Sequence, residues 1–67
     1  MAVVKVIELM AESTEGWEAA TKDVVMEASE TIRNIQAVYV QHFKAIVENN
    51  KIVKYRVNVK ISFIVQD

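Results

Sequence analysis

The sequence predicts an α+β fold of order β-α-β-β, one helix packed on a three-stranded antiparallel sheet, and three observations carry that reading. The chain opens on a run rich in β-branched residues, VVKVIELM at residues 3–10. Trp17, Ala20, Val24, Ala28, Ile32 and Ile35 then recur at intervals of three and four, the spacing of one apolar stripe on a helix. Two long β patterns, residues 36–48 and 51–65, finally flank Asn49-Asn50.

The first strand alternates imperfectly around Lys5 and Glu8. Ser13 or Thr14 is placed to cap the helix, and Glu12, Glu15 and Glu18 sit where acids complement its positive end. The stripe predicts a helix of about 18 residues, with Lys22, Asp23, Glu27, Glu30 and Arg33 on its other faces. Asn49-Asn50 tolerates the positive φ angles of a tight hairpin turn. In the last strand Val53, Tyr55, Val57, Val59, Ile61, Phe63 and Val65 alternate with Lys54, Arg56, Asn58, Lys60, Ser62 and Ile64, which suits a central strand with a core face and an open face.

A two-residue turn with Glu48 opposite Lys51 sets Val38 against Ile61, Val40 against Val59 and Ile46 against Val53, facing the helix. The same register places Ala37 opposite Ser62, Tyr39 opposite Lys60, Gln41 opposite Asn58 and Phe43 opposite Arg56 on the open face, and turns His42 toward the core. The hairpin strands would reach roughly 40 Å at 3.3 Å per residue, against roughly 27 Å for the predicted helix. One helix leaves part of such a sheet uncovered.

Composition says what must cover it. With 67 residues the chain forms a single domain, residues 1–67, and a chain so short removes only about 60% of its unfolded surface from water. There is no Cys to form a disulfide or thiolate metal site, and His42 alone makes no multi-histidine site. Yet 52% of the residues are apolar and the mean hydropathy is +0.14, so apolar surface is expected to lie between subunits of a homo-oligomer.

Several function classes are excluded or disfavoured. No run approaches the roughly 18 apolar residues of a membrane helix, and the N-terminus places an acid where a signal peptide would continue its apolar segment, so a cytoplasmic protein with no membrane partner is expected. The net charge of −1 argues against a nucleic-acid partner, although aromatics interleaved with bases also describe an RNA-binding sheet; the second helix and characteristic motif of such a domain are missing. No Cys nucleophile, Ser-His-Asp arrangement or glycine-rich phosphate loop is present, Gly16 being the one glycine, so the expectation is a non-enzyme.

Charge is unevenly spread. Residues 1–33 carry seven acids and three bases, residues 34–67 five bases and two acids. Arg56 and Lys60, with Tyr39, Gln41 and Phe43, are therefore the open-face candidates for binding an anionic small molecule, and both bases are expected to face inward or toward subunit contacts. Glu12, Glu15, Glu18, Glu27 and Glu30 read as a solvated face, because the chain lacks the Asp/Asn loop with glycine of a local calcium site. Trp17 and His42 read as core or interface residues.

The segments VVKVIELMAESTEGWEAATKDVV, IRNIQAVYV and IVKYRVNVKISF, in that order over nearly the whole chain, resemble the dodecin family. The resemblance implies a β-α-β-β subunit assembled as a hollow homododecamer, a non-enzymatic binding and storage protein. In many members it implies a flavin, FMN or riboflavin, stacked between tryptophans with a glutamine bonded to the ring; other members bind calcium. Matching IQAVYV to the flavin-binding segment puts Ala37 at the stacking tryptophan, and matching KYRVNV puts Arg56 at the ring-binding glutamine. Alanine has no π face, and Arg56 offers donors but no acceptor for a ring N–H, so weak flavin affinity is expected. That leaves calcium, an anion, or no ligand in a structural shell as the alternatives, with the identity of any metal site open.

Overall fold

A computed structural model describes residues 2–65. Its elements are β1 (Val3–Ser13), α1 (Trp17–Ser29), β2 (Ile35–Glu48) and β3 (Lys51–Val65). The three strands form one antiparallel sheet in the order β1-β3-β2, so the strand with the cleanest alternation is the central one, as expected.

The helix is shorter than the apolar stripe suggests. It starts at a Gly16 N-cap with no side-chain cap; Ser13 ends β1 instead, and its Oγ accepts the Glu15 N–H at 3.0 Å. Gly16 adopts φ 155°, a conformation that a Cβ disfavours, while its carbonyl accepts the Ala20 N–H at 3.1 Å. After Ser29 the backbone tightens: the N–H groups of Glu30 and Thr31 donate to the carbonyls of Glu27 and Ala28. Asn34, at φ 63°, then reverses the chain, and its carbonyl accepts the Ile64 N–H. Ile32 and Ile35 keep their contacts with the core, but from the turn and from β2 rather than from helical positions.

The core is thin. Ala20, Val24 and Ala28, one turn apart along the helix, pack on Val57, Val59 and Ile61 of β3, and Ile7, Leu9, Val38 and Val40 flank them from the outer strands. Thirteen helical residues span about 20 Å, against a long molecular axis of 51 Å. The radius of gyration, 13.8 Å, exceeds the roughly 11 Å of a compact chain this size. Val3, Val4, Val6, Met10, Val47 and Ile52 are exposed as a result.

The Asn49-Asn50 turn is present, with φ 52° and 65°, and Glu48 opposes Lys51. The register above it corrects the sequence-based one. Val38 opposes Ile61, Tyr39 opposes Lys60, Val40 opposes Val59 and Ala37 opposes Ser62 as expected. Between them and the turn, however, two bulges displace the pairing by one residue, leaving Gln41 unpaired on β2 and Val53 unpaired on β3. Asn58 therefore faces His42 rather than Gln41, Arg56 faces Lys44 rather than Phe43, and Ile46 faces Lys54 rather than Val53. Phe43 opposes the buried Val57 and lies on the helix side, whereas His42 lies exposed on the open side, the reverse of both expectations.

Candidate functional site

The sheet face turned away from α1 gathers most of the candidate residues. Pairing on both sides of β3 defines rows across it: Val6, Ser62 and Ala37; Glu8, Lys60 and Tyr39; Met10, Asn58 and His42; Glu12, Arg56 and Lys44. Ala37, Tyr39, Arg56 and Lys60 share this face, as the sequence predicted. Gln41 sits at the bulge, Phe43 belongs to the other face, and His42 and Lys44 take the places foreseen for those two.

One hint of the bulge lay in the sequence. Val38 and Val40, then Phe43 and Ala45, step by three across the polar pair Gln41-His42 where strict alternation would step by two, although Ala37, Tyr39, Ile46 and Val47 are apolar as well. Phe43 on the helix side meets Trp17 edge-on with ring centroids 5.9 Å apart, and Tyr55 meets the same indole at 5.1 Å. The Trp17 Nε1–H donates to the Lys44 carbonyl at 2.9 Å. Trp17 is thus a packing residue between helix and hairpin.

The electrostatics of the open face centre on Glu12. Its Oε2 accepts the Arg56 Nε–H at 2.8 Å and a second bond from Nη2, and Lys54 Nζ lies 3.9 Å from Oε1. The Arg56 hydrogen bond outweighs an opposing desolvation cost and, with smaller help from the positive charges of Arg56 and Lys54, holds the Glu12 carboxyl below the usual glutamate range. Glu12, expected beside the helix start, lies on β1 and pairs with Arg56 within the chain. Lys44 and Lys60 have no carboxylate within salt-bridge distance among the described residues, although Glu8 stands opposite Lys60. Four bases, Lys44, Lys54, Arg56 and Lys60, thus face two acids, Glu8 and Glu12.

Two further features bear on ligands. The Asn58 Oδ1 is buried without a hydrogen-bond partner among the described residues, between Met10 and His42. Tyr39 is 64% exposed, with its ring free on the face. An arrangement of cations, amide and imidazole on a sheet suits the anionic and polar edges of a small molecule. Among the described residues no three of His, Cys, Asp and Glu come together as a metal-binding group, and Glu15, Glu18, Glu27 and Glu30 are dispersed and exposed. No described helix is long and apolar enough to cross a membrane.

Comparison with known proteins identifies this architecture. The dodecin family model matches residues 3–66. An arginine-to-alanine variant of the T. thermophilus dodecin superposes with a TM-score of 0.94 at 25% identity, over 100% of both chains. A calcium dodecin from Mycobacterium tuberculosis, described as a calcium-chelating antigen with a calcium-binding site, superposes with a TM-score of 0.84 at 26% identity, over 96% of this chain and 91% of its own. The dodecin of Streptomyces coelicolor, at 23% identity, shares the fold with a TM-score of 0.93. No curated protein matches the sequence. The helix laid on a sheet longer than itself, the central last strand and the family match over nearly the full chain lead to one conclusion: the chain belongs to the dodecin family.

Proposed function

We propose that this chain is a non-enzymatic binding and storage protein that closes into a hollow homododecamer in the cytoplasm and holds an anionic small molecule against its open sheet face. The observation that carries the ligand part is that face, where Lys44, Lys60 and the Glu12-bound Arg56 surround His42 and the unpartnered Asn58 amide. Self-assembly is supported by the thin core and by exposed Val3, Val4, Val6, Val47 and Ile52, surface a monomer of this size would leave in water.

Flavin of the kind the family resemblance implies binds weakly in this reading. Ala37 lies exposed opposite Ser62 and offers no ring for stacking, and Arg56 presents donors already engaged by Glu12. A second reading, calcium storage, draws on the M. tuberculosis relative. Because the described acids are dispersed, such a site would take carboxylates from several subunits.

Fluorescence-quenching titrations with riboflavin and FMN, beside calorimetry with inorganic pyrophosphate and with calcium at low and high salt, separate these readings. Weak riboflavin binding with salt-sensitive pyrophosphate binding is expected. Nanomolar riboflavin affinity would mean the stacking site is misplaced, a calcium isotherm alone would favour the second reading, and silence in all arms would leave a structural shell.

A further inference from the structure

The hairpin has two registers available to it. If the bulges at Gln41 and Val53 cancelled, the Glu48–Lys51 register at the turn would continue unbroken to Val40–Val59. Phe43 would then oppose Arg56 on the open face, and His42 and Lys44 would turn toward the helix. That bulge-free ladder keeps every pair in phase, so something outside the ladder must favour the displaced one. Of the β2 side chains that change face between the two states, Phe43 is the one whose ring meets Trp17. In the displaced register Phe43 and Tyr55 both reach the helix side and enclose the indole edge-on, at 5.9 and 5.1 Å, while Nε1–H donates to the Lys44 carbonyl at 2.9 Å. Cancelling the bulges would remove Phe43 from that cluster and shift Lys44 relative to the helix start.

We propose that Trp17 is a positioning residue for the open face: from the opposite side of the sheet it selects the displaced register and thereby delivers His42 and Lys44 beside Asn58 and Arg56. The ligand consequence rests on the open face being the binding surface; the register consequence does not. Trp17 reaches the open-face Lys44 at its backbone carbonyl, so its influence on binding passes through the strand.

Because the chain has no cysteine, register can be read by oxidation of introduced pairs. Ile46→Cys with Lys54→Cys reports the displaced register, and Ile46→Cys with Val53→Cys the bulge-free one. Each pair is built in the parent, in Trp17→Phe, which keeps a ring but loses the donor, and in Trp17→Ala. Intrachain disulfide formation is followed by mass spectrometry. The parent should oxidise the 46/54 pair faster, with preference moving toward 46/53 in Trp17→Phe and further in Trp17→Ala. On otherwise unaltered chains, Trp17→Phe should weaken pyrophosphate binding about tenfold, the effect of losing one charge-assisted contact. Should Trp17→Ala not fold, benzothienylalanine at position 17, an isostere without the N–H, supplies the second variant. An unchanged pair preference in Trp17→Phe and in the second variant would overturn the proposal. A moved preference with unchanged pyrophosphate affinity would keep the register role and refute the open face as the binding surface.

Discussion

Restoring a stacking ring and an acceptor should convert this chain into a flavin binder. The perturbation is Ala37→Trp with Arg56→Gln, in a background otherwise unaltered. Ala37 is exposed on the open face, in a row with the half-buried Ser62 and the exposed Val6, so an indole can be built there without displacing core. An aromatic pair contributes roughly 0.5–1.5 kcal/mol beyond area burial, and satisfying a ring-edge donor that would otherwise stay unmet contributes roughly 1–3 kcal/mol. Together these amount to about a hundredfold in affinity near the middle of their range. The cost lies in Glu12, which loses Arg56 and keeps only Lys54 at 3.9 Å. Arg56 is 31% and Glu12 36% exposed, so water replaces much of what that pair supplied. The assay is quenching of riboflavin fluorescence by parent, both single variants and the double variant, with bound flavin also visible as absorption at about 450 nm. A double variant that binds no more tightly than the parent would refute the placement of the site on this face, provided that light scattering shows the same assembly.

Light scattering should find the folded parent as a large homo-oligomer, twelve subunits in the family's manner, and a folded monomer at micromolar concentration would contradict the assembly argument. Val59→Ala removes two methyl groups from a site 1% exposed, and should destabilise the protein by about 2–3 kcal/mol in urea unfolding, the sum of lost transfer and cavity terms. Acid stability should depend on Glu12: with its folded pKa below the usual 4.5, its contribution is complete above that value and disappears as pH falls through the lowered one. Glu12→Gln should therefore flatten the acid limb of the stability curve below about pH 5, and an identical limb in parent and variant would refute the ion pair's role.

The elements that follow strict periodicity were legible in the sequence. Alternation from Val53 to Val65 located the central strand, and Asn49-Asn50 located the turn. The helix was overrun because Ile32 and Ile35 continue the apolar spacing; both are still used by the core, and apolar periodicity reports core contact rather than backbone conformation. Asn34, which tolerates the left-handed backbone that ends the helical segment, was the available stop signal. On the site, residues beyond the second bulge, Ala37, Tyr39, Lys60, and the central-strand Arg56 were assigned to the right face, while Phe43 and His42 between the bulges were exchanged. A bulge is one residue of phase, and its position depends on a tertiary contact, here the indole of Trp17, that strand alternation does not encode.

Of the three register shifts between β2 and β3, those at Gln41 and Val53 leave a spare residue on either strand of the hairpin. Removing Gln41 would bring Val40 and His42 into direct succession opposite Val59 and Asn58, and removing Val53 would do the same for Ile52 and Lys54 opposite Val47 and Ile46. Every cross-strand partner would survive either deletion. What would change is the local kink and extra twist that each bulge imposes. Curvature of the sheet and the chemistry of its faces are therefore separately adjustable in this chain: an insertion or loss of one residue at these two positions bends or flattens the tile, and leaves untouched the set of side chains it displays.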